Sequence, residues 1–450
     1  MGAEKDVEKV FLAAAAAAFI VFSAWSIAGH PFAGWDESVY LNNAKWLAGA
    51  GAYHELMRPP LLAVVLAPFA GLDLAVVRAL MAAIFAASAA ALFLLAREWF
   101  EKETAAVAVG VYLLVPAAWR NSALVLTHGL EILFVLLSLW CLSRAKTDKR
   151  LAFVSPAFFS LAFLARYSAA AFAVPFAAAV AAVLWEKKPG QNKGLRKSLL
   201  AGAALGLFLV GAWAAACFAQ TGDPLYSFKE AFAQPVEYSQ ETPWQQALGE
   251  AGFSIPWWLP LLAVIGFAAA LRDGRRGGAD KRVLAVGFFA LAAFAAFAFY
   301  PHKEPRYLLE ALPFLAVLAA LAARRWKIVF ALLVLALAYA NWLSASAAAA
   351  DWAAEAGAGK ALFEASKALA AVVPPGARVV SDFWPVASLY AGVDGQWYDY
   401  GWATPERVEK RMGEEGIGWI ALQRNDAVKK GPCFEEVPAP PGFSFFRFVC

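Results

Sequence analysis

Long apolar runs recur along this chain, and short clusters of Lys and Arg separate most of them. A run of about 18 or more apolar residues can cross a hydrocarbon layer as a helix. About eleven stretches qualify or nearly so: Val10–Ala28, Asp73–Ala96, Thr104–Ala118, Leu124–Ser143, Leu151–Ala165, Ser168–Trp185, Ser198–Ala219, Pro256–Leu271, Val283–Phe299, Leu308–Ala323 and Ile328–Ser344. Only 16% of the 450 residues are charged, against 61% hydrophobic. A water-soluble domain carries far more charge. The pattern predicts an all-α polytopic membrane protein.

The basic clusters give an independent check on the alternation. Lys and Arg crowd Arg97–Lys102, Arg144–Arg150, Lys187–Lys197, Arg272–Arg282 and Arg324–Lys327. With the N-terminus cytoplasmic, nearly all of them fall on the inner side, as the positive-inside rule requires. Reading the short apolar stretch Leu61–Gly71 as a full crossing would reverse the later clusters, so it is expected to be an interfacial or re-entrant helix begun by Pro59-Pro60. The first span lacks a small-residue cleavage site and is expected to remain as an anchor. No basic helix or Arg-rich aromatic platform suggests a nucleic-acid partner.

After about residue 350 the composition changes. Residues 1–350 read as the membrane part, and 351–450 as a small extracytoplasmic α/β domain. Its expected elements are a helix at Trp352–Val372, strands at Arg378–Ser381 and Trp419–Leu422, a helix at Thr404–Glu415 and a hairpin near Phe434–Val437 and Phe443–Val449. Cys433 and Cys450 could pair if the tail is extracytoplasmic. Cys141 and Cys217, inside apolar runs, read as small buried hydrophobes.

Charges between apolar spans are costly unless solvated or used, which directs attention to four constellations and one pair. The first polar loop carries Asp36 and Glu37, followed by Tyr40, Lys45, His54 and Glu55. A carboxylate there can act as a base towards a hydroxyl or help hold a divalent cation; the plainer reading is a solvated loop carboxylate. Arg58 precedes Pro59-Pro60 at a helix start, where a phosphate would meet a guanidinium and free backbone N–H groups. A snorkelling interface arginine explains Arg58 as well. The segment His302-Lys303-Glu304-Pro305-Arg306-Tyr307 puts a histidine and two cations in one turn, suited to a phosphate or pyrophosphate leaving group. The loop from Gln220 to Ser254, with Asp223, Glu230, Glu237, Tyr238, Glu241 and Trp244, mixes acids and rings as sugar sites do. His128 and Glu131, near the end of a span, are candidates as intramembrane ionisable residues, and Arg166 lies at an outer turn. The scattered histidines have no zinc-ligand spacing. No P-loop, GxGxxG, GxSxG or HExxH pattern occurs in a fitting context.

The order Asp36-Glu37-x-x-Tyr40, Arg58-Pro59-Pro60-Leu61 and then Arg78 resembles the start of the GT-C glycosyltransferases, in the branch of protein O-mannosyltransferases and lipid A aminoarabinose transferases. His302-Lys303-Glu304-x-Arg306-Tyr307 is similar to the His-Lys-Glu-x-Arg-Phe motif of lipid-linked α-mannosyltransferases in that superfamily. The resemblance implies a GT-C-like membrane domain that transfers a sugar, with inversion, from a polyprenyl-phosphate donor to an extracytoplasmic protein, lipid or glycan hydroxyl. It makes Asp36 the catalytic acidic residue with Glu37 its neighbour, and Arg58, Lys303 and Arg306 the donor-phosphate contacts. Tyr40, His54, Glu55, His128, Glu131, Arg166, Asp223, His302, Glu304 and Tyr307 are the further substrate-binding candidates. No cofactor is fixed by the resemblance; a divalent cation is compatible with it, and metal dependence is open. Trp397-Tyr398-Asp399-Tyr400-Gly401 also looks like the Trp-Trp-Asp-Tyr-Gly motif of oligosaccharyltransferases, with Tyr at the second position, which keeps en bloc transfer as an alternative. A transporter or lipid flippase would also carry charges in a polytopic bundle, but it predicts two similar halves with broken helices, and no internal symmetry is visible. A non-catalytic scaffold is the remaining rival.

Overall fold

The structure, a computed structural model, describes residues 4–145, 147–185, 193–238, 255–274, 280–299, 304–397, 405–423 and 433–450. The chain is predominantly helical with a small C-terminal sheet, and it separates into two compact units. One comprises Met1–Ser26, Leu56–Leu61 and Ala79–Ala348; the other comprises Ile27–Glu55, Leu62–Arg78 and Ala349–Cys450.

Each of the eleven expected crossings overlaps helix, though Thr104–Ala118 is two helices broken at Val115. Helices α1 (Glu4–Gly29), α2 (Trp35–Leu47), α3 (Leu61–Leu66), α4 (Leu74–Trp99), α5 (Lys102–Leu114), α6 (Pro116–Ser122), α7 (His128–Arg144) and α8 (Lys149–Ala165) are followed by a 3-10 turn at Tyr167–Phe172. Then come α9 (Ala173–Trp185), α10 (Lys193–Thr221), α11 (Tyr226–Tyr238), α12 (Trp258–Gly274) and α13 (Asp280–Phe299). A second 3-10 turn, Pro305–Glu310, leads into α14 (Leu312–Arg325) and α15 (Lys327–Val372). Six segments, Val7–Gly29, Leu74–Trp99, Tyr167–Trp185, Lys193–Thr221, Lys281–Phe299 and Lys327–Val372, are long and apolar enough to cross a membrane. The helices at the other five expected crossings run 13 to 17 residues.

In the first unit, polar side chains tie helices together where the backbone cannot. Pro116 has no N–H, so the helix from Lys102 ends at Leu114 instead of running on to Ala118. The Leu114 carbonyl this leaves accepts from Asn341 Nδ2 on α15 at 2.7 Å, and Asn341 Oδ1 accepts from Trp119 Nε1 at 2.7 Å. Ser138 of α7 and Ser155 of α8 each donate to the other's carbonyl, at 2.8 and 2.9 Å. In a hydrocarbon environment such interhelical bonds are the alternative to unpaired polar groups. Small residues bring backbones close. A Cβ on Gly202 would lie 1.9 Å from the Phe153 carbonyl oxygen, and one on Gly266 would lie 1.9 Å from that of Leu318.

In the second unit, five strands form one sheet in the order β2-β1-β3-β5-β4. They are β1 (Arg378–Ser381), β2 (Asp394–Trp397), β3 (Trp419–Leu422), β4 (Phe434–Val437) and β5 (Ser444–Phe448). β1 runs parallel to β2 and β3, while β5 is antiparallel to β3 and β4. Strand alternation sends Val379, Ala421 and Phe445 to one face. There they pack with Ala365 and Leu369 from the end of α15 and with Val386 and Ala387 from α16 (Trp384–Ala391). Val380, Ile420, Leu422 and Phe446 face the other way, against Val408 and Met412 of α17 (Pro405–Glu415). A left-handed Gly392, φ 68°, ends α16. Cys433 and Cys450 are joined by a disulfide, Cα atoms 5.2 Å apart.

Several local expectations change. The segment opening with Asp36 is not a loop but α2, held by tertiary contacts that its polar composition does not reveal. The last crossing and the tail's first helix are one 46-residue helix, because the Ala-rich junction contains no breaker. The expected loop Gln220–Ser254 contains α11, with residues 239–254 outside the described set. α16 and β2 were not anticipated.

Replacing Gly266 by Leu forces α12 from α14, because the obstructing Leu318 carbonyl is backbone and cannot rotate away. A loss of about 1–3 kcal/mol is expected, read as a lower midpoint in thermal unfolding in detergent. Gly211→Leu on α10, where an added Cβ meets nothing within 4 Å, leaves the midpoint close to wild type.

Candidate active site

The first constellation belongs to the second unit. Asp36 and Glu37 occupy the first turn of α2, where the helix dipole favours negative charge. The two carboxylates are used differently. Glu37 turns inward, is 5% exposed, and accepts from Arg78 Nη2 at 2.6 Å and Arg78 Nε at 3.0 Å. It also accepts from the Gly34 N–H at 2.9 Å, so it caps its own helix. Arg78 is 1% exposed and spends a further donor on the Phe32 carbonyl at 2.9 Å. Asp36 is only half-buried. Tyr40 is buried one turn further on.

α2 is docked on α16 by side chains that reach its backbone. Asn42 Nδ2 donates to the Pro385 carbonyl at 2.8 Å, and Lys45 Nζ to that of Leu389 at 3.1 Å. Burial pulls the Lys45 ammonium below its usual pKa. Tyr390 OH accepts from the Ala33 N–H at 2.9 Å, and Trp384 Nε1 donates to Tyr53 OH at 3.0 Å. His54 stacks on Trp46 with ring centroids 4.0 Å apart. Glu55 accepts from Tyr53 OH at 2.8 Å, and its backbone exchanges two hydrogen bonds with the Asn43 side chain. His54 and Glu55 therefore sit in a turn latched onto α2.

The second constellation lies in the first unit. His128 and Glu131 open α7, one turn apart, so both stand on one helix face. Glu310 ends the 3-10 turn Pro305–Glu310, and Arg166 and Ser168 follow α8. Glu131 and Glu310 are 0% and 3% exposed. Arg166 Nε is 2.9 Å from Glu310 Oε1 and 3.7 Å from Glu131 Oε2. Ser168 Oγ lies 3.1 and 3.2 Å from the Glu131 oxygens and 2.9 Å from Glu310 Oε1. Tyr307 lies beneath the Arg166 guanidinium at 4.9 Å, with Arg306 at 5.7 Å from the same ring. Arg306 is ion-paired with Glu304, which also accepts from Tyr307 OH at 3.4 Å. Arg58, half-buried in the same unit, adjoins Met57, whose carbonyl accepts from Ser227 Oγ at 3.2 Å. Ser227 in turn bonds Tyr167 OH, which accepts from Trp213 Nε1 at 2.9 Å.

The structure brings His128, Glu131, Arg166, Arg306 and Tyr307, named as separate candidates from the sequence, into one neighbourhood, and adds Glu310 and Ser168, which sequence reasoning did not name. The signal for Glu310 was a lone carboxylate in Leu308-Leu309-Glu310-Ala311-Leu312. Asp223 is set apart from this neighbourhood by its turn role. It caps the approach to α11, accepting from the Leu225 N–H at 2.9 Å and pairing with Lys229 at 2.6 Å, and these partners hold its carboxyl below the usual range. His302 and Lys303 lie outside the described residues, as do the last four residues of Trp397–Gly401.

Residues 57–214 match the family model described as dolichyl-phosphate-mannose-protein mannosyltransferase. The fold resembles that of ArnT from Cupriavidus metallidurans, bound to undecaprenyl phosphate, at TM-score 0.65 and 15% identity over 97% of both chains. The apo form of that protein matches at 0.65 and 16% over 98% of both. The apo oligosaccharyltransferase of Archaeoglobus fulgidus matches at 0.56 and 13%, over 93% of this chain and 69% of its own. No curated protein sequence matches the chain. The chain shares the fold of these proteins, and residues 57–214 of it match the mannosyltransferase family model. The chain carries both constellations on helix starts and short turns, the places where a helical fold can present side chains without breaking its interior hydrogen bonds.

Removing Arg78 strands the Glu37 charge. Arg78→Leu is expected to lower stability by about 3–5 kcal/mol, whereas Arg78→Leu combined with Glu37→Leu recovers most of the loss. Chemical denaturation of the two single variants and the double variant measures the coupling.

Proposed function

We propose that the protein transfers one sugar, with inversion, from a polyprenyl-phosphate donor to a hydroxyl of an extracytoplasmic protein, lipid or glycan acceptor. Asp36 takes the proton of the acceptor hydroxyl as it attacks the anomeric carbon, and the lipid phosphate leaves. Phosphate is already a good leaving group, so the donor end needs cations more than a general acid. Arg58, Lys303 and Arg306 are assigned to it. The transfer is placed on the extracytoplasmic side, with the N-terminus cytoplasmic, in keeping with the distribution of basic clusters.

The observation that carries this reading is the division between neighbouring carboxylates. Glu37 is saturated by Arg78 and by its own helix cap, which makes it a positioning residue. Asp36 is the half-buried carboxylate of the pair and takes the chemical role. Support for the donor class comes from the family description over residues 57–214 and from similarly folded proteins described as bound to undecaprenyl phosphate or dolichol-phosphate.

The test uses purified full-length protein and a panel of radiolabelled polyprenyl-phosphate sugars. Transfer with release of lipid phosphate is expected from one of them. Asp36→Asn is expected to lower turnover by about 10²-fold or more while donor binding and the unfolding midpoint stay near wild type. Wild-type turnover in Asp36→Asn removes the assignment, and the absence of lipid-phosphate release with every donor removes the transferase reading in favour of transport.

A further inference from the structure

We propose that His128, Glu131 and Glu310 bind a divalent cation of the zinc class. Their ligand atoms all lie within 4.8 Å of one another, and all three residues are buried. Three observations point to a missing positive centre there. Among the described residues, two buried carboxylates pair with one guanidinium, that of Arg166, and Arg306 nearby is engaged with Glu304. A bound cation would let both carboxylates stay ionised side by side in a setting where like charge is expensive. Ser168 Oγ touches both carboxylates but has one proton to donate, so with both ionised one of its carboxylate contacts is oxygen against oxygen.

His128 is the third and independent sign. It is 2% exposed, and neither ring nitrogen has a hydrogen-bond partner among the described residues. Buried polar atoms of this kind are rare and call for a reason. Its Nδ1 sits 3.8 Å from Glu310 Oε1, too far for a hydrogen bond. Bonds of about 2.0–2.2 Å to a tetrahedral metal would set nitrogen and oxygen about 3.3 Å apart. Closing that gap needs a shift of about 0.5 Å at a carboxylate that ends a 3-10 turn, and ligand atoms as far apart as 4.8 Å need one of up to about 1.5 Å. One imidazole and two carboxylates form a nitrogen–oxygen donor set that suits Zn²⁺ and, less tightly, Mn²⁺. Three protein ligands leave a coordination position open, the arrangement of reactive rather than purely structural zinc. On the transferase reading, that position would take an oxygen of the phosphate or of the acceptor. Arg166 competes for the same carboxylates and would moderate the affinity.

Metal uptake can be read without donor or turnover, so its failure is distinct from a failure of the transferase assignment. Full-length protein in detergent, stripped with chelator, is titrated with Co²⁺ and followed by its visible d–d bands, then back-titrated with Zn²⁺. About one equivalent per chain is expected, with His128→Gln and Glu310→Gln weakening binding by about tenfold or more and His30→Gln leaving it unchanged. X-ray absorption on the zinc-loaded wild type is expected to report a nitrogen–oxygen shell that includes one imidazole, and it stands even if a variant fails to fold. No stoichiometric uptake, a His128→Gln titration like wild type, or a shell without imidazole overturns the site.

Discussion

Arg78 cannot reach water, and its countercharge cannot either. That constraint fixes the geometry around it. A guanidinium 1% exposed must spend its donors inside the protein, and this one does so on Glu37 and the Phe32 carbonyl. Arg suits the task because its planar fork meets a carboxylate with two parallel bonds. Glu37 still has capacity, which the Gly34 N–H takes. The start of α2, the chain before it and the first turn of α4 are thereby pinned to one another within the second unit. Replacing the pair by apolar residues could give equal stability, but it would not specify where α2 begins.

The same rule explains the interior of the first unit. Its helices run through surroundings that offer no water, so each broken hydrogen bond has to be mended by a side chain. Pro116 breaks one helix and Asn341 mends it; Ser138 and Ser155 cross-link two others. The cluster of Glu131, Glu310, Arg166 and Ser168 is larger than these structural repairs and sets two carboxylates against one guanidinium among the described residues. Two of its carboxylates compete for one hydroxyl proton while an adjacent imidazole bonds nothing among the described residues.

Most of the helical layout was legible because hydropathy and basic clusters are long-range averages, insensitive to single residues. The strands β1, β3, β4 and β5 were legible for a related reason, since apolar stretches bounded by turn residues identify them. What escaped was decided by particular contacts. α2 has little hydrophobic character of its own and exists as a helix because Asn42, Lys45 and the residues around Tyr53 bind α16. α16 and β2, at eight and four residues, are too short for periodicity to register. Of the buried cluster, His128, Glu131 and Arg166 could be suspected as charges in apolar surroundings. That Glu310 and Ser168 join them depends on how two 3-10 turns bring separate helices together, which no local pattern encodes.

Neighbouring carboxylates invite the thought that they act as a pair, and helix geometry argues against it. Successive residues on a helix diverge by about 100° around its axis, so Asp36 and Glu37 cannot both address the same atom without unwinding α2. In an extended loop, the conformation their polarity suggests, they would be free to converge. Folding into a helix imposes a division of labour instead. One carboxylate faces inward and is consumed by Arg78; the other is carried outward on the rigid shoulder this creates. On the proposed assignment of Asp36 as base, a carboxylate held by its neighbour's ion pair loses little entropy on meeting substrate, so a structural carboxylate beside a chemical one can serve catalysis without touching a reactant.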